Sequence, residues 1–287
     1  MILKETLNLL KALYAEKKLQ PVQLVRIDGS SGWTIIIGTQ KFCGTAFRFS
    51  GQHNVHQNEE VDPAIIDELH GLNLMDIADK FVDSDIIQLR SIAVAAMSAL
   101  SQPFLTCESI KERGFHIISE EDCMRFILKP DDMVTLIGYG GMTQHILGKC
   151  RELHITDMRP PQSLPEMLVN EDIKDNHEPV FIHGANEDEK LLSISDVAVI
   201  TASTIVNNTI DNLLRYANSA RVRCIYGASS SIIPDILIKY KANIIMSHHV
   251  SNPDKLIESI GSAESIEKSI RNYQTYQVIS NRKLSEI

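Results

Sequence analysis

From Met133 onward, apolar runs of strand length alternate with stretches of helical periodicity, and few folds can accommodate that order. VTLIG is followed by ILGKC, LHITD stands next, VAVIT leads into IDNLLRYA, VRCIYG into IPDILIKY, and ANIIMS into PDKLIESI. Such alternation is the pattern of βαβ units around a parallel sheet. Residues 197–200 and 244–246 are apolar without a polar alternate, as expected of central strands covered by helices on both faces. The turn sequence Lys129-Pro130-Asp131-Asp132 directly precedes the first of these strands and suggests a domain boundary. The expected division is an α+β unit over 1–129 and a Rossmann-like α/β unit over 130–287. Within the second unit, residues 162–195 form an acidic, polar insertion in which VFIHG reads as one additional strand.

The first half has a different pattern. Leu3, Leu7, Leu10, Leu13 and Tyr14 share one face of a helix over residues 2–18, with lysines and glutamates opposite. Two β-rich runs, 34–38 and 42–49, flank the short polar turn 39–41 and read as a hairpin. Residues 63–69 and 74–81 are helical in pattern. Residues 84–100 contain IIQLRSIAVAAMSAL, apolar and rich in small side chains, so a helix buried on several sides is expected.

Composition excludes some partners. No apolar run is long enough for a membrane span. Glu5 and Glu16 interrupt the first segment, which therefore reads as a structural helix rather than a targeting signal. The net charge of -9 argues against nucleic acid, because phosphate binding needs clustered Lys and Arg. A small molecule, a metal or a protein is the expected partner, and a homo-oligomer stays open. Cys43, Cys107, Cys123, Cys150 and Cys224 are widely spaced with no CxxC pair, which signals neither a disulfide framework nor a zinc knuckle. A reducing cytoplasm is the expected compartment.

Three loops at strand ends are candidates for ligand contact. Gly138-Tyr139-Gly140-Gly141 follows a strand and precedes a helix, and Asp157 ends the next strand, near where a ribose-binding acid would sit. Thr143 occupies the third glycine position, however, and a tight turn that simply needs glycine explains the loop equally well. Thr201, Ser203, Thr204 and Asn207 form a hydroxyl-rich loop that could donate to a ligand, although capping accounts for some of these residues. Gly227, Ser229 and Ser230 repeat the strand-end position after YG. Three such loops on one sheet edge would converge on one crevice. Histidines offer a metal reading: His53 and His56 near Glu59 and Glu60, and His248 at the end of the last strand, are of the types that hold zinc, nickel or iron. His53 and His56 lie in a polar stretch with no HExxH-type pattern, which favours solvated loop residues over ligands. The sequence contains no nucleophile elbow, Walker loop or catalytic triad.

The segment DVAVITASTIVNNTIDNLLRYANSARVRCIYGASSSIIPDIL resembles the core of the family described as putative heavy-metal chelation, in which a TxSTxxN loop and a GxS(S/T) loop follow successive strands. IGYGGM, MRP, CGTAFRF and IIQLRSIAVAAMSAL are similar to other parts of that family. The resemblance implies an enolase-N-terminal-like α+β domain, a Rossmann-like domain and a cleft between them. The expected ligand is a divalent transition metal or a metal-chelating metabolite, with Arg159 pairing a ligand carboxylate. A nucleotide-type cofactor at the glycine loop, serving a transferase, synthase or oxidoreductase, is the alternative.

Overall fold

The computed structural model describes residues 1–29, 32–51, 55–56, 61–118, 123–160, 162, 164, 179–261 and 272–287. Helix α1 (Ile2–Glu16) buries Ile2, Leu3, Leu7 and Leu10 along one face. Strands β1 (Leu24–Gly29), β2 (Trp33–Gly38) and β3 (Cys43–Phe47) form a small antiparallel sheet in that order. The hairpin expected from sequence is β2 with β3, with Trp33 opposite Phe47 and Ile37 opposite Cys43. β1 is an addition to it, carried by the mixed run LVRIDG.

Helices α2 (Pro63–Asp67) and α3 (Leu74–Phe81) start at side-chain caps, Asp62 accepting from Ala64 N and Asn73 from Met75 N, both at 2.9 Å. Every residue of α4 (Ile87–Ser101) is buried. Its small residues have a specific purpose: a Cβ on Gly44 of β3 would lie 2.0 Å from Ala95 O and 2.4 Å from Ala99 N. Helix and strand therefore meet backbone to backbone, a contact that only glycine on the strand permits.

Next come α5 (Cys107–Glu112), β4 (His116–Ile118), α6 (Met124–Ile127), β5 (Met133–Ile137), α7 (Met142–Ile146), β6 (Glu152–Asp157) and β7 (Val180–Gly184). The chain continues through α8 (Asp188–Ile194), β8 (Val197–Thr201), α9 (Ser203–Val206), α10 (Ile210–Tyr216), β9 (Val222–Tyr226), α11 (Asp235–Lys239), β10 (Ile244–Val250), α12 (Pro253–Gly261) and β11 (Gln274–Ser280). The large sheet has eight strands in the order β4-β11-β10-β9-β8-β5-β6-β7. β5 to β10 are mutually parallel, and counted along the chain they run 3-2-1-4-5-6, the doubly wound Rossmann order. VFIHG is indeed a strand, β7, parallel to β6 with Val180 opposite Leu153. β11 and β4 extend the other edge antiparallel, and β4 does so from before the Lys129-Pro130 turn.

One apolar core runs through both halves, joining Leu10, Leu100, Ile205, Leu213, Ile225 and Ile245. A second core covers the opposite face of the large sheet with Met124, Ile127, Leu153 and Met246. Polar contacts cross between the halves as well. Arg90 Nε donates to Val206 O at 2.8 Å, and Ile233 N to Ser101 Oγ at 3.1 Å. No described helix is long and apolar enough to cross a membrane.

Candidate functional site

In the 3-2-1-4-5-6 order the chain reverses direction across the sheet between β5 and β8, and doubly wound proteins bind ligands in the crevice at that point. Gly138 leaves β5 with a φ of +90°, and Tyr226 Oη donates to its carbonyl at 3.0 Å. A cavity of about 550 Å³ opens here. Its floor is made by the strand ends, including Gly138, Tyr139, Asp157, Thr201 and Gly227. Trp33, Phe47 and Phe49 from the amino-terminal half line it as an aromatic wall, together with Val55. The rings of that wall meet edge to face, Trp33 with Phe47 at 6.0 Å and Phe47 with Phe49 at 4.9 Å between centroids.

Asp157 is the most heavily bonded group of the floor. Oδ1 accepts from Arg159 N at 2.8 Å and Arg159 Nε at 2.9 Å, while Oδ2 accepts from Tyr139 N at 2.9 Å and Arg159 Nη2 at 2.8 Å. Hydrogen bonding to this carboxylate raises the Arg159 pKa further, against the opposing effect of burial. Arg159 lines the cavity, with its Nε and Nη2 engaged by Asp157. That acid lies two residues back along the chain, and Nη2 also reaches Tyr139 O at 2.9 Å.

Thr201, Ser203, Thr204 and Asn207 all line the cavity. Part of their bonding is local capping, as the sequence allows. Thr204 Oγ1 donates to Thr201 O at 2.5 Å, and Asn207 Oδ1 accepts from Thr209 N at 3.2 Å and Thr209 Oγ1 at 2.7 Å. Gly140 lines the cavity too.

A family profile with the description "Putative heavy-metal chelation" matches residues 122–279, more than half of the chain and including every strand of the cavity floor. The chain belongs to the DUF364 family. An uncharacterized protein of Methanocaldococcus jannaschii is 23% identical over 218 residues, which span 76% of this chain and 74% of that one. Two crystal structures of DUF364 proteins of unknown function share the fold. That from Pyrococcus horikoshii has a TM-score of 0.68 at 19% identity, covering 98% of this chain and 100% of its own. That from Desulfitobacterium hafniense has a TM-score of 0.68 at 17% identity, covering 96% and 98%.

Other expected site residues of this DUF364 chain lie away from the cavity lining. Ser229 Oγ accepts from Phe47 N at 2.8 Å and so joins the two halves, while Ser230 Oγ donates to Gly227 O at 2.7 Å and holds the turn after β9. Gly141 opens α7 beside the site. His248 sits on β10 against Tyr276, with ring centroids 5.4 Å apart, and lines a separate small space with Cys43 and Gln102. His56 packs edge-on against Phe49 with ring centroids 5.0 Å apart, and burial lowers its pKa. His53, like Glu59 and Glu60, falls outside the described residues. Among the described residues no three or more His, Cys, Asp or Glu side chains are grouped to hold a metal ion.

Sequence reasoning missed the aromatic wall, Thr156, Asp188 and Tyr226. Tyr226 stands directly before Gly227 and could have been found as part of that strand end. The wall could not, because nothing in CGTAFRF says which face meets the second half.

Proposed function

We propose that the cavity binds a small metal-chelating metabolite, in metal handling or chelator metabolism. The observation that carries this reading is the shape and chemistry of the cavity. Its volume of about 550 Å³ falls within the range of about 300–1,000 Å³ usual for small-molecule sites. Polar groups converge on its floor while aromatic rings face them, an arrangement suited to a flat organic frame. In this reading the amino-terminal unit, enolase-like by resemblance, serves as the apolar wall.

A bare ion fits the described residues less well, since His56 and His248 lie apart from the cavity lining and no described acidic or histidine set is gathered for it. A chelated ion arrives already coordinated, so the protein need only complement the organic frame. The metal is then cargo and needs no resident ligand set. The family description supports a metal-linked ligand.

The nucleotide-cofactor reading draws support from the strand order and the Gly138 turn. Asp157 weighs against it. Each of its oxygens already accepts two protein hydrogen bonds, which leaves little capacity for a ribose hydroxyl.

The test is elemental analysis with mass spectrometry of small molecules released from gently purified, tag-free protein. A stoichiometric chelating molecule, with or without metal, is expected. A retained nucleotide, or a metal without an organic partner, would refute the proposal.

A further inference from the structure

Asp188 and Thr156 both line the cavity, at the start of α8 and near the end of β6. Thr156 is fully buried. Asp188 Oδ1 and Thr156 Oγ1 are buried atoms of neighbouring side chains; the hydroxyl and the carboxylate interact, but neither of these atoms meets a partner in good hydrogen-bond geometry among the described residues. A buried polar atom left in that condition is destabilising unless a bound molecule meets it. The first turn of a helix favours an acid through the helix dipole, but that does not satisfy an oxygen facing a cavity.

We propose that Asp188 and Thr156 recognise N–H donors of the bound molecule, so that the cavity selects ligands with an amine, amidine or heterocyclic N–H at one end. The proposal rests on the small-molecule reading above and specifies the ligand's polar end. A carboxylate oxygen accepts most strongly from a charged N–H, and the threonine hydroxyl can accept a second. Trp33, Phe47 and Phe49 offer flat faces and edges to the remainder of the molecule. Burial pushes the Asp188 carboxyl above its ordinary range; the neighbouring Thr156 hydroxyl opposes this and the Asp157 charge adds to it. A cationic ligand relieves that penalty, whereas the Asp157 charge is already met by Arg159.

Trp33 is the sole tryptophan of the chain and lines the cavity, so its fluorescence reports occupancy. The full chain is titrated with benzamidine, benzamide and benzoate. Saturable responses are expected, with benzamidine at least about ten-fold tighter than benzoate. Asp188→Asn should weaken benzamidine by about ten-fold and keep the benzamide response, which also shows that its cavity is intact. Thr156→Val should weaken both benzamidine and benzamide and leave benzoate unchanged. If benzoate binds tightest, or if Asp188→Asn leaves the order unchanged, the donor selection is overturned and the small-molecule reading stands. If no probe gives a saturable response, both are overturned.

Discussion

Gly138 and Thr201 face each other across the point where the sheet reverses, and a Cβ on Gly138 would lie 2.8 Å from Thr201 Cγ2. Gly138 also has positive φ, so a side chain there is opposed by both backbone and neighbour. Gly138→Ala should lose about 1–2 kcal/mol of stability by urea denaturation from the backbone conformation alone, and more from the contact. Adding Thr201→Ser removes the clashing methyl and should recover only the second part. Full recovery would mean that the backbone conformation costs nothing.

The Asp157–Arg159 pair predicts a coupling. Asp157→Asn and Arg159→Met should each destabilise the Tyr139 turn, and the double variant should be little worse than the poorer single. A double-mutant cycle is expected to give about 1–3 kcal/mol, since the acid is largely buried but the guanidinium is partly exposed. Additive effects would show that the two side chains act separately.

Close packing of β3 on α4 makes Gly44 intolerant. Gly44→Ala places a methyl within 2.0 Å of Ala95 O, so strand and helix must separate. A loss of about 3 kcal/mol or more is expected in chemical denaturation, at the upper end of overpacking effects. A near-neutral result would show that α4 can shift without cost.

A histidine chain beside the site predicts acid sensitivity. His154 Nδ1 lies 3.0 Å from His183 Nε2, and His183 Nδ1 lies 3.2 Å from Glu187 Oε1. Burial, with the charge of His183, lowers the His154 pKa, while Glu152 and Glu187 oppose this. A histidine whose folded pKa is depressed contributes stability that is complete above about pH 6.5 and is lost as pH falls through the folded value. The Tm should therefore fall from about pH 7 to pH 5, and more steeply than in His154→Gln. Equal slopes would exclude His154 as the source.

Thiol reactivity should follow burial. Cys107 is exposed, whereas Cys43, Cys123, Cys150 and Cys224 are buried, and none of the five is in a disulfide. Burial pushes the Cys43 thiol up to about 12 and the Cys224 thiol well above its ordinary value. Native protein treated with iodoacetamide should gain one adduct, at Cys107, by peptide mass spectrometry, and the rest only after denaturation. Native labelling of Cys43 would mean that β3 opens readily.

The sequence by itself determined the parallel sheet, its strand-end glycine turn and the buried small-residue helix. These features are written in short-range chemistry: apolar runs of β8 and β10, the need for positive φ at Gly138, and the Ala and Ser residues of α4. β11 and β4 were not legible, because edge strands such as QTYQVIS mix polar and apolar residues without a clean period. Only the tertiary structure decided how the candidate site residues are used. Ser229 and Ser203 are alike in sequence, yet one hydroxyl is bonded to Phe47 N and the other lines the cavity. Arg159 is bonded to Asp157, His248 stands apart from the cavity lining, and Asp188 enters it from a segment with no motif. The reason is that a polar side chain's role depends on which distant backbone or charge comes within about 3 Å of it, and local periodicity carries no record of that partner.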